Sequence, residues 1–178
     1  AVNSDLYYSG GHLGTLKIPA IGLSTKVYEG TDSSTLAKGA GHFPGTSIWD
    51  GNCCIAGHNR GVRDDFGDLH TLEPGDTITW TTKLGTRTYQ VVSVEKVLET
   101  DTSGTATTSD NRITLFTCVR DQRAYRWCVQ AVECYTQCIS QIGKCTAFFS
   151  LSFCETLTEL LPERGDEQIV VHASFCPF

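Results

Sequence analysis

The chain reads as a mainly β protein, a closed or nearly closed barrel of short strands with a few short helices. Three observations carry this expectation. At least seven short segments read as strands, some alternating apolar and polar residues with a period of two and some apolar throughout. Clusters of Gly, Pro, Asn and Asp punctuate those segments, as turns between strands require. Little of the first 135 residues carries a helical repeat, so neither a bundle nor an alternating α/β fold is indicated.

The elements follow in chain order. Residues 13–30 alternate around Pro19, with β-branched Ile18, Ile21, Thr25 and Val27, and predict two short strands with a bend at the proline. Residues 31–39 open on Thr, Asp and Ser and close on Gly39, the start and stop signals of a helix of one or two turns. Residues 40–52, rich in Gly, Pro and Asn, predict a loop. Cys53 to Ala56 predict an apolar strand that delivers His58 to a Gly-flanked turn. Residues 66–72 predict a short helix or turn, and Pro74-Gly75-Asp76 a tight turn that launches the strand TITWTT. Leu84-Gly85 turns the chain into a long strand, RTYQVVSVEKVLE. Residues 101–112 are a polar loop without an apolar anchor. A strand ITLFTC then ends on Cys118 and a strand YRWCVQAVEC returns, joined by the polar connection VRDQRA.

Length bounds the organisation. The 178 residues hold one well-buried domain plus an extension, and the change of pattern near residue 135 divides the chain into a barrel, residues 1–135, and a C-terminal extension, residues 136–178. Hydrophobic residues make up 40% and charged residues 19%, an ordinary globular balance. The net charge of −6 argues against nucleic-acid binding, which needs clustered Lys and Arg. Arg120, Arg123 and Arg126 form the one dense basic stretch, too small for a polyanion groove. No run of residues is apolar and long enough to span a membrane. The chain contains no Met, which leads us to expect a missing N-terminal segment; a membrane anchor upstream is an expectation compatible with this composition and is not read from it.

Nine cysteines are a high count, and seven of them lie from Cys118 onward. In an extracytoplasmic protein an odd number leaves a thiol unpaired, as a nucleophile must be. Cys118 is the candidate, at the end of a strand, with Arg126 returned on the next strand after seven intervening residues. His58 is the candidate proton carrier. Of the five histidines, it alone combines an apolar strand ahead of it with a Gly-flanked turn that exposes the ring at a strand end; His12, His42, His70 and His172 do not. Thr117 is a candidate for placing substrate, although a β-branched strand residue needs no such role. Cys128, Cys53 and Cys54 read as core.

These residues resemble the landmarks of the sortase family. Thr114-Leu115-Phe116-Thr117-Cys118 is similar to its TLxTC motif, Ile55-Ala56-Gly57-His58-Asn59 to its strand-end His motif, and the order His, Cys, Arg is the family's. Ile18-Pro19-Ala20-Ile21-Gly22, Gly39 to Gly45 and Leu72 to Asp76 resemble further landmarks, so the likeness covers residues 13–133. It implies an eight-stranded β-barrel with short helices. It also implies a cysteine transpeptidase acting at an LPxTG-like sorting signal of secreted proteins, at a Gram-positive-type cell surface, with a peptidoglycan precursor or pilin lysine as amine acceptor. In that scheme Cys118 forms a thioacyl intermediate, His58 carries protons and Arg126 stabilises the oxyanion. Asn-Arg-Gly after the histidine, the short Cys-to-Arg connection and the lack of an obvious N-terminal lid point to a class D-like or class B-like member. No cofactor and no metal are expected, since Asp64, Asp65 and Asp68 lack a calcium-ligand spacing. Two rival readings use the same residues: a cysteine hydrolase passing the acyl group to water, and a non-catalytic, disulfide-stabilised surface module in which Cys118 is bridged.

The extension departs from the family. It follows Cys134 with Cys138, Cys145, Cys154 and Cys176, and its longest apolar run is far too short for an anchor. Cys134, Cys138, His172 and Cys176 fit no common zinc module, so disulfides or reduced thiols are the simpler expectation.

Overall fold

The computed structural model describes residues 2–134. They form β1 (Gly14–Ile18), β2 (Leu23–Glu29), the single-turn helix α1 (Ser33–Leu36), β3 (Ala40–His42), β4 (Asn52–Ala56), β5 (Thr77–Thr82), β6 (Gly85–Leu98), β7 (Arg112–Val119) and β8 (Gln122–Glu133). Short 3₁₀ turns at Ser4–Leu6, Pro19–Ile21, Leu69–Thr71 and Ser103–Thr105 complete the elements. The expected extension, with Cys138, Cys145, Cys154, His172 and Cys176, lies outside the described residues.

The eight strands close into one barrel in the order β1-β2-β3-β4-β7-β8-β6-β5, with β5 pairing back onto β1. Closure leaves no sheet edge to be covered. Two neighbouring pairs are parallel, β2 with β3 and β4 with β7; the others are antiparallel. A parallel pair needs a long crossover, and between β4 and β7 that crossover contains β5 and β6, which build the opposite wall.

Local chemistry explains the short elements. Pro19 opens the 3₁₀ turn after β1, and Gly22, at φ 62°, takes the left-handed conformation that closes it. Asp32 caps α1 by accepting from the backbone N–H groups of Ser34 and Thr35 at 2.9 and 3.1 Å. These hydrogen bonds, with the Ser34 and Thr35 hydroxyls, hold its carboxyl well below the usual range.

The inward residues make a continuous core that includes Leu16, Ile18, Val27, Ile55, Ile78, Trp80, Tyr89, Ile113, Leu115 and Val129. Trp80 is fully buried and its indole N–H donates to the Ile48 carbonyl at 2.9 Å, so the largest core side chain leaves no polar atom unpaired. Cys53 belongs to this core. Cys54 and Cys128 pack instead with Phe116 in a second, smaller cluster, with Phe43 and Val97 against it.

Two boundaries differ from those expected. Residues 40–52 are not all loop, because Ala40–His42 form β3, zipped between β2 and β4. Three residues are too few for a period to register, and pairing on both sides decides their conformation. The connection after Cys118 is only Arg120-Asp121, with Asp121 at φ 60°, so Arg123 lies on β8 and not in a polar connection. Charged, exposed residues at the start of a strand carry no burial pattern to announce it.

Candidate functional site

The site begins with the parallel pairing of β4 and β7. Ala56 stands beside Phe116, and the Gly57 N–H donates to the Phe116 carbonyl at 3.1 Å, carrying the alignment past the end of β4. His58 on one chain and Cys118 on the other therefore reach the same end of the barrel. Gly57 is needed here for space: a Cβ would lie 2.6 Å from the Phe66 ring. Phe66 is fully buried, and its N–H donates to the His58 carbonyl at 2.8 Å, which fixes the backbone that bears the imidazole.

Antiparallel pairing supplies the third side chain. Arg126 stands directly opposite Cys118 across β7 and β8. The next pair is Val119 with Gln122, so Arg123, Ala124 and Tyr125 form a bulge on β8. Arg126 satisfies that bulge itself, its Nη1 donating to the carbonyls of Arg123 and Tyr125 at 2.7 and 2.8 Å. Its Nη2 donates to Glu99 Oε2 at 2.8 Å.

His58, Cys118 and Arg126 line one cavity of about 390 Å³, together with Glu99, Asp101 and Thr105. Its walls are mostly apolar, built by Phe43, Ala56, Val97 and Phe116. The floor is the second hydrophobic cluster, where Phe43 and Phe116 meet edge to face at 5.5 Å. Thr117 also borders the cavity, but it is buried and its hydroxyl donates to the Gly57 carbonyl at 2.8 Å. It thus ties the His58 turn to the Cys118 strand.

The cysteines differ sharply in setting. Cys118 is an exposed free thiol, whereas Cys53, Cys54 and Cys128 are buried free thiols. Burial pushes the Cys53 thiol far up, Cys54 to about 12 and Cys128 to about 11, because a thiolate is poorly solvated in an apolar setting. Only a thiol open to solvent can meet a large substrate as thiolate.

The other described histidines do not line this cavity. His42 is buried, 2.7 Å from Glu29 Oε2 and within hydrogen-bond reach of Thr46 and Ser47. His12 stacks on Tyr8, and His70 stacks on Trp127 at 5.8 Å. Asp64 and Asp65 are paired with Arg120 and Arg63. Among the described residues no group of three or more His, Cys, Asp or Glu is placed to hold a metal ion.

Three residues that shape the site were assigned no role from the sequence, although Asn59 stands within the His motif. Buried Asn59 donates from Nδ2 to the Cys118 carbonyl at 2.5 Å, pinning the backbone of the thiol. Glu99 restrains Arg126. Asn52 supplies the anchor that the polar loop 101–112 lacks: its Nδ2 donates to the carbonyls of Gly104 and Ala106, both at 2.9 Å, while Thr114 donates to its Oδ1 at 2.8 Å. Only the position of Asn59 directly after His58 could have pointed to it; Asn52 and Glu99 act through partners far away in sequence.

Comparison with known proteins agrees with this architecture. The model of the sortase domain family matches residues 16–134. Sortase A of Listeria monocytogenes serovar 1/2a is 31% identical over 110 residues, covering 60% of this chain and 49% of the relative. Sortase D of Bacillus subtilis strain 168 is 35% identical over 92 residues, covering 51% and 45%. The chain thus spans about half the length of these curated relatives. Among solved structures, Sortase C2 of Group B Streptococcus Pilus Island 1 superposes with a TM-score of 0.67 at 28% identity, over 71% of this chain and 76% of that one. Sortase C-1 from Streptococcus pneumoniae gives 0.68 at 27%, over 72% and 69%. His58, Cys118 and Arg126 all fall inside the stretch that the domain model matches, and on that match and the closed eight-stranded barrel this chain belongs to the sortase family.

Proposed function

We propose that this protein is a cysteine transpeptidase that cleaves an LPxTG-like sorting signal and transfers the acyl part, the substrate protein now ending in the signal's threonine, to an amine at an extracytoplasmic surface. Residues 1–135 form its catalytic unit in this reading, and residues 136–178 an extension to it. The observation that carries the reading is the convergence of an exposed thiol, an imidazole and a guanidinium on one cavity from three adjacent strands.

The chemistry follows from these groups. The Cys118 thiolate attacks the carbonyl carbon of the sorting-signal threonine, and the C–N bond breaks as His58 delivers a proton to the departing amine. An incoming amine attacks the thioester, its extra proton passes to His58, and the C–S bond breaks to regenerate the thiolate. Arg126, always charged and facing Cys118 across the ladder, donates to the oxyanion or to substrate carbonyls. Its bonds to the bulge carbonyls hold the guanidinium in place before substrate arrives. Thr117 positions the site through its bond to Gly57.

The test is incubation with a panel of LPxTG-type peptides, reading a mass increase on Cys118, beside a Cys118→Ala control. An adduct that forms only on the native thiol, and is released as a ligated product by added amine, is expected. Release by water alone at all amine concentrations identifies a hydrolase, and no adduct across the panel overturns the proposal.

A further inference from the structure

Cys118 lies at the meeting point of two cavities. The first, described above, holds His58 and Arg126. The second, of about 220 Å³, is lined by Asn59, Asp68, His70, Arg120 and Trp127 as well as Cys118. Cys118 is the one residue that lines both. A group-transfer enzyme has two substrates to bring to one sulfur, and a thiol reached from two sides provides two approaches.

The second cavity has the chemistry of a cation site. Of the three aspartates of this region, Asp64 is paired with Arg120 and Asp65 with Arg63. Asp68 is exposed, lines the cavity and joins none of the ion pairs among the described residues, so its carboxylate is open to an incoming cation. Arg120, the positive group there, is committed to Asp64 and to the Asn59 carbonyl, 3.2 Å from its Nη2. His70 Nδ1 lies 3.0 Å from the Gly67 carbonyl and so donates to it, which leaves Nε2 of a neutral ring as an acceptor. The His70 ring also stacks on Trp127, presenting aromatic surface of the kind that attracts ammonium groups. A carboxylate, an imidazole acceptor and an indole together suit a primary ammonium.

We propose that this second cavity receives the acceptor, the amino end of a peptide, with Asp68 drawing in its ammonium and Trp127 supporting its carbon chain. The inference rests on the transpeptidase reading above. Once the ammonium has lost its first proton to solvent water, the neutral nitrogen attacks the thioester carbon, the N–C bond forms, the C–S bond breaks to give the thiolate, and the second proton leaves to His58 across the sulfur.

The experiment compares native protein with Asp68→Asn and Asp68→Glu, using one LPxTG-type peptide and two nucleophiles, triglycine as a cationic amine and hydroxylamine as an uncharged one at neutral pH. The readout is the ratio of transferred to hydrolysed product as each nucleophile is raised. For Asp68→Asn, the triglycine concentration at half-maximal transfer is expected to rise roughly two- to fivefold, the range of a solvent-exposed ion pair. The hydroxylamine curve should stay unchanged, and Asp68→Glu should restore the triglycine curve. A purely structural role for Asp68 would shift both nucleophiles alike and overturn the inference, as would identical triglycine curves for all three proteins. If the native protein forms no adduct on Cys118, the transpeptidase reading itself fails, and that result is read before any amine is added.

Discussion

Cys118 and Cys128 lie on neighbouring strands of one barrel wall, yet the first is exposed and the second is 6% exposed. That contrast is measurable. An alkylating reagent at neutral pH is expected to label Cys118 in the folded protein well before Cys53, Cys54 or Cys128, with peptide mapping over time as the check; equal rates would contradict the burial. The raised values of Cys54 and Cys128 also set a pH dependence. Both thiols stay protonated in the fold at pH values where the unfolded chain ionises, so their contribution to stability is complete below the unfolded value near 9. It declines as pH rises from there towards the folded values of about 11 and 12. Denaturant midpoints should fall over that window, and less steeply in a Cys54→Ala, Cys128→Ala variant. For the site itself, Arg126→Ala is expected to lower the rate of thioester formation by roughly 10²–10³, the usual loss for one oxyanion donor, with Cys118 labelling by a small reagent retained. At this scale the placement of His58 and Cys118 was legible, because each sits at the end of an apolar strand in a local pattern. The partner of Arg126 was not, since Glu99 lies 27 residues away and meets it through the pairing of β6 with β8.

The strands with strong alternation, β5 and β6, were legible nearly to their ends, whereas β3 and the first residues of β8 were not. In the first case the side chains themselves record which face is buried; in the second, backbone pairing decides and leaves little trace in composition. The same distinction applies to loops. Residues 101–112 look unanchored because their anchor is a polar side chain on another element, Asn52 at the start of β4. Asn52→Ala should therefore cost about 1–3 kcal/mol, through the unpaired Thr114 hydroxyl and loop carbonyls. It should also weaken peptide binding, because Asp101, Thr102 and Thr105 of that loop border the cavity. Thermal unfolding and the peptide concentration at half-maximal rate are the two readouts. Gly57→Ala is expected to be worse for activity than for fold: the new methyl meets Phe66 at 2.6 Å, a clash worth about 1–3 kcal/mol, and its relief moves the backbone that carries His58. Restoring space with Phe66→Leu in the same chain should recover part of the lost rate.

At the level of the whole barrel, seven of the eight strands were readable because turn signals separate them, while the count of eight came from the family resemblance, β3 having left no pattern. The order in which they close was not, since it depends on two crossovers that no local pattern encodes. Trp80, inside the closed wall, tests the barrel as a unit: Trp80→Ala is expected to cost about 3–5 kcal/mol in denaturant unfolding, although the residue touches none of the reacting groups. The pairing of β4 with β7 also has a kinetic side. His58 and Cys118 are 60 residues apart, and the strands threaded between them belong to the other side of the barrel. No hairpin or other local intermediate can bring imidazole and sulfur together, so a refolding chain gains secondary structure long before it gains a competent site. Until the last crossover is seated, Cys118 is an ordinary thiol without partners. On the proposed function, activity toward an LPxTG-type peptide is therefore expected to return only with completion of the fold, after the backbone circular dichroism signal has recovered.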